Sequence, residues 1–259
     1  MKLSAIWMSI LAAGLAVPLA TQAATLAEDD AADPTYETNF DPGQNGGTGF
    51  GPWEFTQGAN SGRFVGDSNL NGFGDVNDTV DINTTNSLDL GVAWGLFASS
   101  GELAEAIRPL SVPLKPGDTF EFSIDNGFVN AGGSVGVALE NSDGEPLFEY
   151  FFAGGASAYQ RQDAAGFTDS LIGFTTDGID FTFTLDTATT YSGFTQIVGG
   201  ISESFGGTLM TPATGTATID RIRFFNFDAG SGTTNDFLFN KLLIDGTPSA
   251  SVGAWSEYQ

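Results

Sequence analysis

The chain contains no cysteine and no histidine among its 259 residues. The first absence excludes disulfides and thiolate chemistry. The second excludes an imidazole base, a Ser/His/Asp triad and His-ligated zinc or copper. Any catalysis would have to run on carboxylates, Tyr, Lys, Arg or a hard metal ion. Cations are scarce as well: eight Lys plus Arg stand against thirty-two Asp plus Glu, a formal net charge of -24. Phosphate binding rests on clustered cations that release counterions, so no nucleic-acid partner is expected, and anionic membranes and heavily sulfated glycans are disfavoured on the same ground. An acidic surface suits solubility in salty water and suits divalent cations.

Long apolar runs are missing after the first. Met1 to Ala24 opens with Lys2, continues through the apolar stretch Ile6 to Leu19 and reaches the small-x-small site Thr21-Gln22-Ala23. This predicts a secretory signal peptide over residues 1–23 and an exported protein, extracellular or at the cell surface, with no integral membrane span once the leader is removed. In an oxidising compartment without cysteine, stability must come from a packed core or a bound metal.

What the chain does have is glycine (35) and phenylalanine (23), arranged with period two. Phe120, Phe122 and Ile124 alternate with Glu121, Ser123 and Asp125; Val135, Val137 and Leu139 alternate with Gly136, Ala138 and Glu140. That alternation marks strands with one buried face. The clusters at 130–133 and 141–144 supply Asn/Gly-type reversals, so the stretch Asp118 to Phe152 reads as three antiparallel neighbours. Their outward face would carry Glu121, Asp125 and Glu149 around a floor of Gly136 and Ala138.

Residues 24–35 are Ala/Asp/Glu-rich and read as a disordered acidic leader; residues 36–246 read as the domain and 247–259 as a linker or tail. The Gly-rich run Phe40 to Phe55 reads as a close-packed loop leading Trp53 and Phe55 into the core, since no βαβ pattern surrounds it. Arg63 to Val65, Leu88 to Phe97 and Gly178 to Asp186 read as strands, with Ser192 to Gly200 as partner of the last. Ser99 to Glu102 resembles a capping box for one helical turn over Leu103 to Ile107, although an irregular crossover serves equally well. Ala153 to Phe167 and Ser202 to Gly215 read as loops, and Ile219 to Asp245 as a long hairpin. About ten short strands with almost no helix and no fixed-period repeat predict an all-β, two-sheet antiparallel sandwich of jelly-roll type.

Two further groups carry chemistry. In Asp67 to Asp78, oxygen side chains of Asp67, Asn69, Asn71, Asp75 and Asp78 fall at positions one, three, five, nine and twelve of a twelve-residue calcium loop, with Gly72 at six. An Asn/Asp/Gly turn cluster holding no ion accounts for the same residues. Trp94, Tyr150, Tyr159 and Tyr191 are candidates to stack on sugar rings, against the alternative that they are core. Arg221 and Arg223 share one strand face; they read as salt-bridge partners of the acid-rich sheet, or as ligand contacts beside a cleft carboxylate.

At NGGTGFGPW (45–53), AWGLFASSG (93–101), DNGFVNAGGSVGVALEN (125–141) and FNFDAGSGTTNDFLFNKL (225–242), the chain resembles exported bacterial β-sandwich domains of polysaccharide-degrading bacteria. More loosely, FLFNKLLID resembles the closing strand of jelly-roll carbohydrate-binding modules. That resemblance implies a concanavalin-like or binding-module-like sandwich and a structural calcium near Asn240, where the commoner residue is Asp. The leading functional expectation is a non-catalytic glycan-binding or surface-adhesive domain, using Trp94, Tyr150, Tyr159, Glu121, Asp125 and Arg223 on a polysaccharide or cell-surface glycan. The rival is a calcium-dependent glycosidase or lyase using Glu121, Asp125 and Glu149, although the glutamate-x-aspartate-x-x-glutamate pattern of laminarinase-like hydrolases is absent. A structural surface or matrix component is the third.

Overall fold

Alternating sequences lay one face of each strand against a shared interior, and the computed structural model, which describes residues 23–70 and 82–246, is built almost wholly this way. In chain order the strands are β1 (Ala24–Asp29), β2 (Glu54–Gln57), β3 (Ser61–Gly66), β4 (Thr84–Thr85), β5 (Gly91–Ala98), β6 (Leu103–Pro109), β7 (Thr119–Asn126) and β8 (Ser134–Glu140). They continue as β9 (Pro146–Ala153), β10 (Ala158–Asp163), β11 (Gly166–Gly173), β12 (Ile179–Leu185), β13 (Thr190–Ile197), β14 (Ser202–Thr208), β15 (Arg221–Phe227) and β16 (Phe237–Gly246). The first sheet runs β14-β13-β12-β7-β16-β5-β3, with β1 added to β16 and β4 to β5; the second runs β11-β10-β9-β8-β15-β6-β2. Every pairing is antiparallel. This is the expected all-β two-sheet sandwich of jelly-roll type.

Between the sheets lies an interior dense in rings. Phe224 of the second sheet stacks on Phe239 of the first, centroids 4.0 Å apart and 5° from parallel. Phe122, Phe148, Tyr150, Phe181 and Phe183 extend the contact in one direction, and Tyr36, Phe40, Trp53 and Trp94 in the other. Each fully buried ring contributes about 1.5–3 kcal/mol of transfer free energy.

Several local expectations are overturned. Residues 24–35 are no disordered leader: β1 pairs with β16, and a 3₁₀ turn over Pro34–Tyr36 follows, capped by Asp33 accepting from the Thr35 N–H. Composition misled because the partner of Asp29 is Arg108, far along the chain; the two form an ion pair of 2.6 Å with both side chains fully buried. The Gly-rich run explains how β1 fits: at Gly47 (φ +63°) a Cβ would lie 2.0 Å from the Glu28 carbonyl, so only glycine lets the two backbones meet. Leu103–Pro109 is a strand, not a helical turn, because β15 and β2 supply partners on both sides. Residues 153–167 and 202–215 are not plain loops either: β10 and β11 form a hairpin, and β14 pairs with β13.

Two expected hairpins are crossings. β7 belongs to the first sheet and β8 to the second; likewise β15 and β16 lie in different sheets. Only the β8–β9 half of the expected three-strand unit pairs directly.

Candidate functional site

The crossing between β7 and β8 separates the acids that the alternation had grouped. Glu121 is exposed on the first sheet, opposite Thr182 and Leu243. Its carboxyl is held above the ordinary value by burial, then by Asp245 and Asp180. Asp125 has the same strand parity but is only 1% exposed. Glu149 stands on the second sheet. The predicted trio therefore does not converge: the topology removes Glu149 from the other two, and burial separates Asp125 from the exposed Glu121.

The aromatic candidates fare the same way. Trp94, Tyr150, Tyr159 and Tyr191 are all at most 2% exposed. Trp94 packs among Tyr36, Phe40, Trp53 and Phe239. Tyr150 and Tyr159 stack on each other inside the sandwich, and the Tyr159 hydroxyl donates to Asn126. Tyr191 donates to Asp163 at 2.7 Å. None presents a ring to solvent.

Asn240 is fully buried, and its amide is spent on the fold. Its Oδ1 accepts from the Ala31 N–H at 2.9 Å; its Nδ2 reaches the carbonyls of Ile82 (3.0 Å) and Val92 (2.9 Å) and the Thr84 hydroxyl (3.2 Å). An N–H₂ group facing carbonyl oxygens does not fit a calcium ligand. The amide here ties β16 to the segment after β1 and to β4 and β5, and Asp could not supply those donors. In the proposed calcium loop, Asp67 Oδ1 accepts from the Asn69 N–H and from Asn83 Nδ2 at 2.7 Å; Asn71, Asp75 and Asp78 lie outside the described residues, as do residues 1–22 of the leader and 247–259 of the tail.

What the structure does bring together lies on the outer face of the second sheet. Register fixes two adjoining rows across neighbouring strands. In one, Gly136 of β8 sits between Phe151 of β9 and Phe225 of β15, with Gln160 beyond Phe151 and Glu105 beyond Phe225. In the other, Ala138 sits between Glu149 and Arg223, with Gln162 beyond Glu149 and Ile107 beyond Arg223. A Cβ on Gly136 would lie 2.5 Å from both Phe151 Cβ and the Tyr150 carbonyl, so the floor can be no larger there. Phe227 continues the apolar side, 38% exposed, and Phe167 meets Phe151 edge-on at 6.0 Å. Leu103, Ser134, Glu149, Phe151, Arg223, Phe225 and Phe227 line a depression of about 350 Å³.

Arg223 organises this face. Its guanidinium donates to Glu140 (2.5 Å), Glu105 (2.9 Å) and Glu149 (3.2 Å), while Cζ lies 5.0 Å from the centroid of the Phe225 ring. Glu140, 1% exposed, also receives Arg221 at 2.8 Å. Burial raises the Glu149 carboxyl above its ordinary value, Arg223 opposes that, and Glu140 adds to it. The three carboxylates raise the guanidinium in turn, outweighing its own burial. Of five guanidinium N–H groups, three are committed here among the described residues. Sequence reading located Gly136, Ala138, Glu149 and Arg223 but missed Phe151, Phe225, Phe227 and Glu105. The usable signal was the outward parity of Phe225 and Phe227 with Arg223 on one strand.

No protein-family model matches the chain, and no curated protein is significantly similar to it. Among solved structures it is similar to a carbohydrate esterase of the Shiga toxin-encoding bacteriophage phi24B, at 12% identity over 87% of this chain and 100% of that one, with a TM-score of 0.47. It is also similar to a glycosyl hydrolase family 16 protein of Mycobacterium smegmatis, at 11% identity over 80% and 97% of the two chains, TM-score 0.45. Arcelin-5, a lectin-like defence protein of Phaseolus vulgaris, matches at 11% identity over 74% and 100%, TM-score 0.42. At such identities and TM-scores none of these likenesses bears on what this chain binds.

Proposed function

We propose that the protein is a secreted, non-catalytic glycan-binding module whose contact surface is the outer face of the second sheet. The observation that carries this reading is the pair of adjoining rows, Phe151-Gly136-Phe225 and Glu149-Ala138-Arg223. A pyranose presents an apolar C–H face and a rim of hydroxyls. It calls for a ring surface to meet the first and fixed donors and acceptors to meet the second. Glu105 and Glu149 supply acceptors, Arg223 supplies donors, and their mutual pairing sets them in place before a ligand arrives, which lowers the ordering cost of binding. Hydrolysis by paired carboxylates needs one acid held protonated and the other ionised, both free to act on the scissile bond. Here Glu105, Glu140 and Glu149 all accept from Arg223, an arrangement suited to holding a ligand rather than cutting it. The leader expected over residues 1–23 adds export, and a polysaccharide or cell-surface glycan is the partner it would meet outside.

Affinity electrophoresis of the chain lacking residues 1–23, through gels containing xylan, mannan, β-glucan or chitin, tests this. At least one polysaccharide should retard the wild type, and a Phe151→Ala/Phe227→Ala variant should be retarded distinctly less in the same gel. Equal retardation of the variant, or none of the wild type, removes the reading.

A further inference from the structure

The first sheet carries a second exposed ring surface. It is built by cross-strand pairing of glycine with phenylalanine. Gly62 of β3 pairs with Phe97 of β5, and Phe64 of β3 with Gly95 of β5. In both pairs the ring lies over the glycine. A Cβ on Gly62 would be 2.7 Å from Phe97 Cζ, and one on Gly95 would be 2.2 Å from Phe64 Cζ. A ring laid flat on a bare backbone turns its other face outward. Phe64 is partly covered, packing beside Ile82, Ala93 and Leu238, whereas Phe97 remains 40% exposed.

Beside these rings, at the β3 edge, is a concavity of about 490 Å³, inside the range of roughly 300–1,000 Å³ usual for small-ligand clefts. Its polar wall is Asn39, Asp41, Gln57 and Arg63. Arg63 is fixed: it donates to the Phe40 carbonyl, to Gln57 Oε1 and to Asp41 Oδ1 at 3.0 Å, with Cζ 4.5 Å from the Phe55 centroid. Because Arg63 and Asp41 neutralise each other, the wall offers hydrogen bonds without net charge. Gln57, bonded through its oxygen, keeps its amide donors without a partner among the described residues. Bare ring face plus neutral polar wall is again the chemistry of an uncharged pyranose, and it excludes a ligand held by ionic pairing.

The geometry points to a second glycan subsite on Phe97 and the Asn39/Asp41/Gln57/Arg63 wall, at the sandwich edge formed by β3 and β2 and apart from the first, so that one molecule bridges two polysaccharide chains. This rests on the reading of the second sheet as a glycan surface. Phe97 stands on the first sheet and Gln57 on β2, the edge strand of the second, whereas Phe151 and Arg223 stand on β9 and β15 inside the second sheet; with the two sites separated round that edge, the consequence of filling both is cross-linking.

The test uses the polysaccharide that retards the wild type, one sample bound to beads and another, dye-labelled, in solution. The wild type should carry dye to the beads and bind two oligosaccharides per protein by calorimetry. Phe97→Ala and Phe151→Ala/Phe227→Ala should each bind one, and each should lower bridged dye at least tenfold. Melting curves verify that the variants fold. Two results overturn the bridge alone: a wild-type stoichiometry of one, or dye capture by Phe97→Ala equal to the wild type, which would place cross-linking in self-association. Failure of the wild type to bind any of the four polysaccharides overturns the second-sheet reading and the bridge with it.

Discussion

The aromatic residues divide into two populations that differ in chemistry as well as in place. Among the described residues every Trp and Tyr is buried, and every strongly exposed ring is Phe, as at Phe97, Phe167 and Phe227. The usual expectation is the reverse, since Trp and Tyr carry a polar handle that favours surfaces and interfaces. Here Tyr36, Trp53, Tyr159 and Tyr191 have their handles met inside, while Trp94 Nε1 and the Tyr150 hydroxyl are buried with no hydrogen-bond partner among the described residues. The Tyr36 hydroxyl donates to Asp29 at 2.6 Å and accepts from the Gly46 N–H and from Trp53 Nε1, while Arg108 lies across the Trp53 ring with Cζ 4.9 Å from its centroid. Buried carboxylates and amides thus draw some of the polar rings inward, and the surface rings are left to Phe seated on glycine or flanking a small-residue floor. A ring's type therefore does not by itself give its place: Trp94 and Tyr150 are buried through packing alone.

The sharpest break of that comparison is to remove the interior partner. Arg108→Met strands the Asp29 carboxylate beside Tyr36, and losing one member of a buried pair costs about 3–5 kcal/mol; urea unfolding should show that drop. Phe239→Ala should cost a similar ~3–5 kcal/mol through the cavity left beside Phe224 and Trp94, with glycan retardation falling only as far as the folded fraction does. An Asn240→Asp change should cost about 1–3 kcal/mol, because an acceptor replaces a donor facing two buried carbonyls. A loss of under 0.3 kcal/mol in urea melts would remove the amide tie.

Asp236 supplies a pH test near the same interior. Burial alone raises its carboxyl from the ordinary 3.8 to about 7. A raised folded-state pKa means the native state binds its proton more tightly than the unfolded chain. This contribution to stability is then complete below pH 4, declines as the pH climbs, and is gone above 7. Asp236→Asn should flatten the wild-type decline between pH 4 and 7 in thermal melts, and an unchanged slope would exclude the assignment. At the small end, Phe227→Ala should shift stability by no more than about 0.5 kcal/mol, as befits an exposed site, while weakening glycan retardation. A variant that melts early yet still binds would place Phe227 with the interior rings.

Legibility followed interaction range. Ile179, Phe181, Phe183 and Leu185 were readable as inward because alternation is a property of neighbouring residues, and they are buried. Gly136, Ala138, Glu149 and Arg223 were readable as outward for the same reason. Phe151 and Phe225 share that parity with Glu149 and Arg223, but their meeting was not legible, since only pairing β9 and β15 to either side of β8 turns two distant phenylalanines into one row. β1 was missed because an acidic, Ala-rich segment resembles a solvated leader until Arg108 is known to face it.

By itself the sequence determined the class of the fold, the acidic character and the chemistries closed to a chain without Cys or His, because each depends on composition or on residues two apart. The tertiary structure alone decided which acids meet, which rings reach solvent and that Asn240 is an amide tie. Those outcomes depend on whether the chain turns back or crosses to the other sheet after Asn126 and after Phe227, and that choice is made by long-range packing and buried polar partners, not by the turn residues themselves.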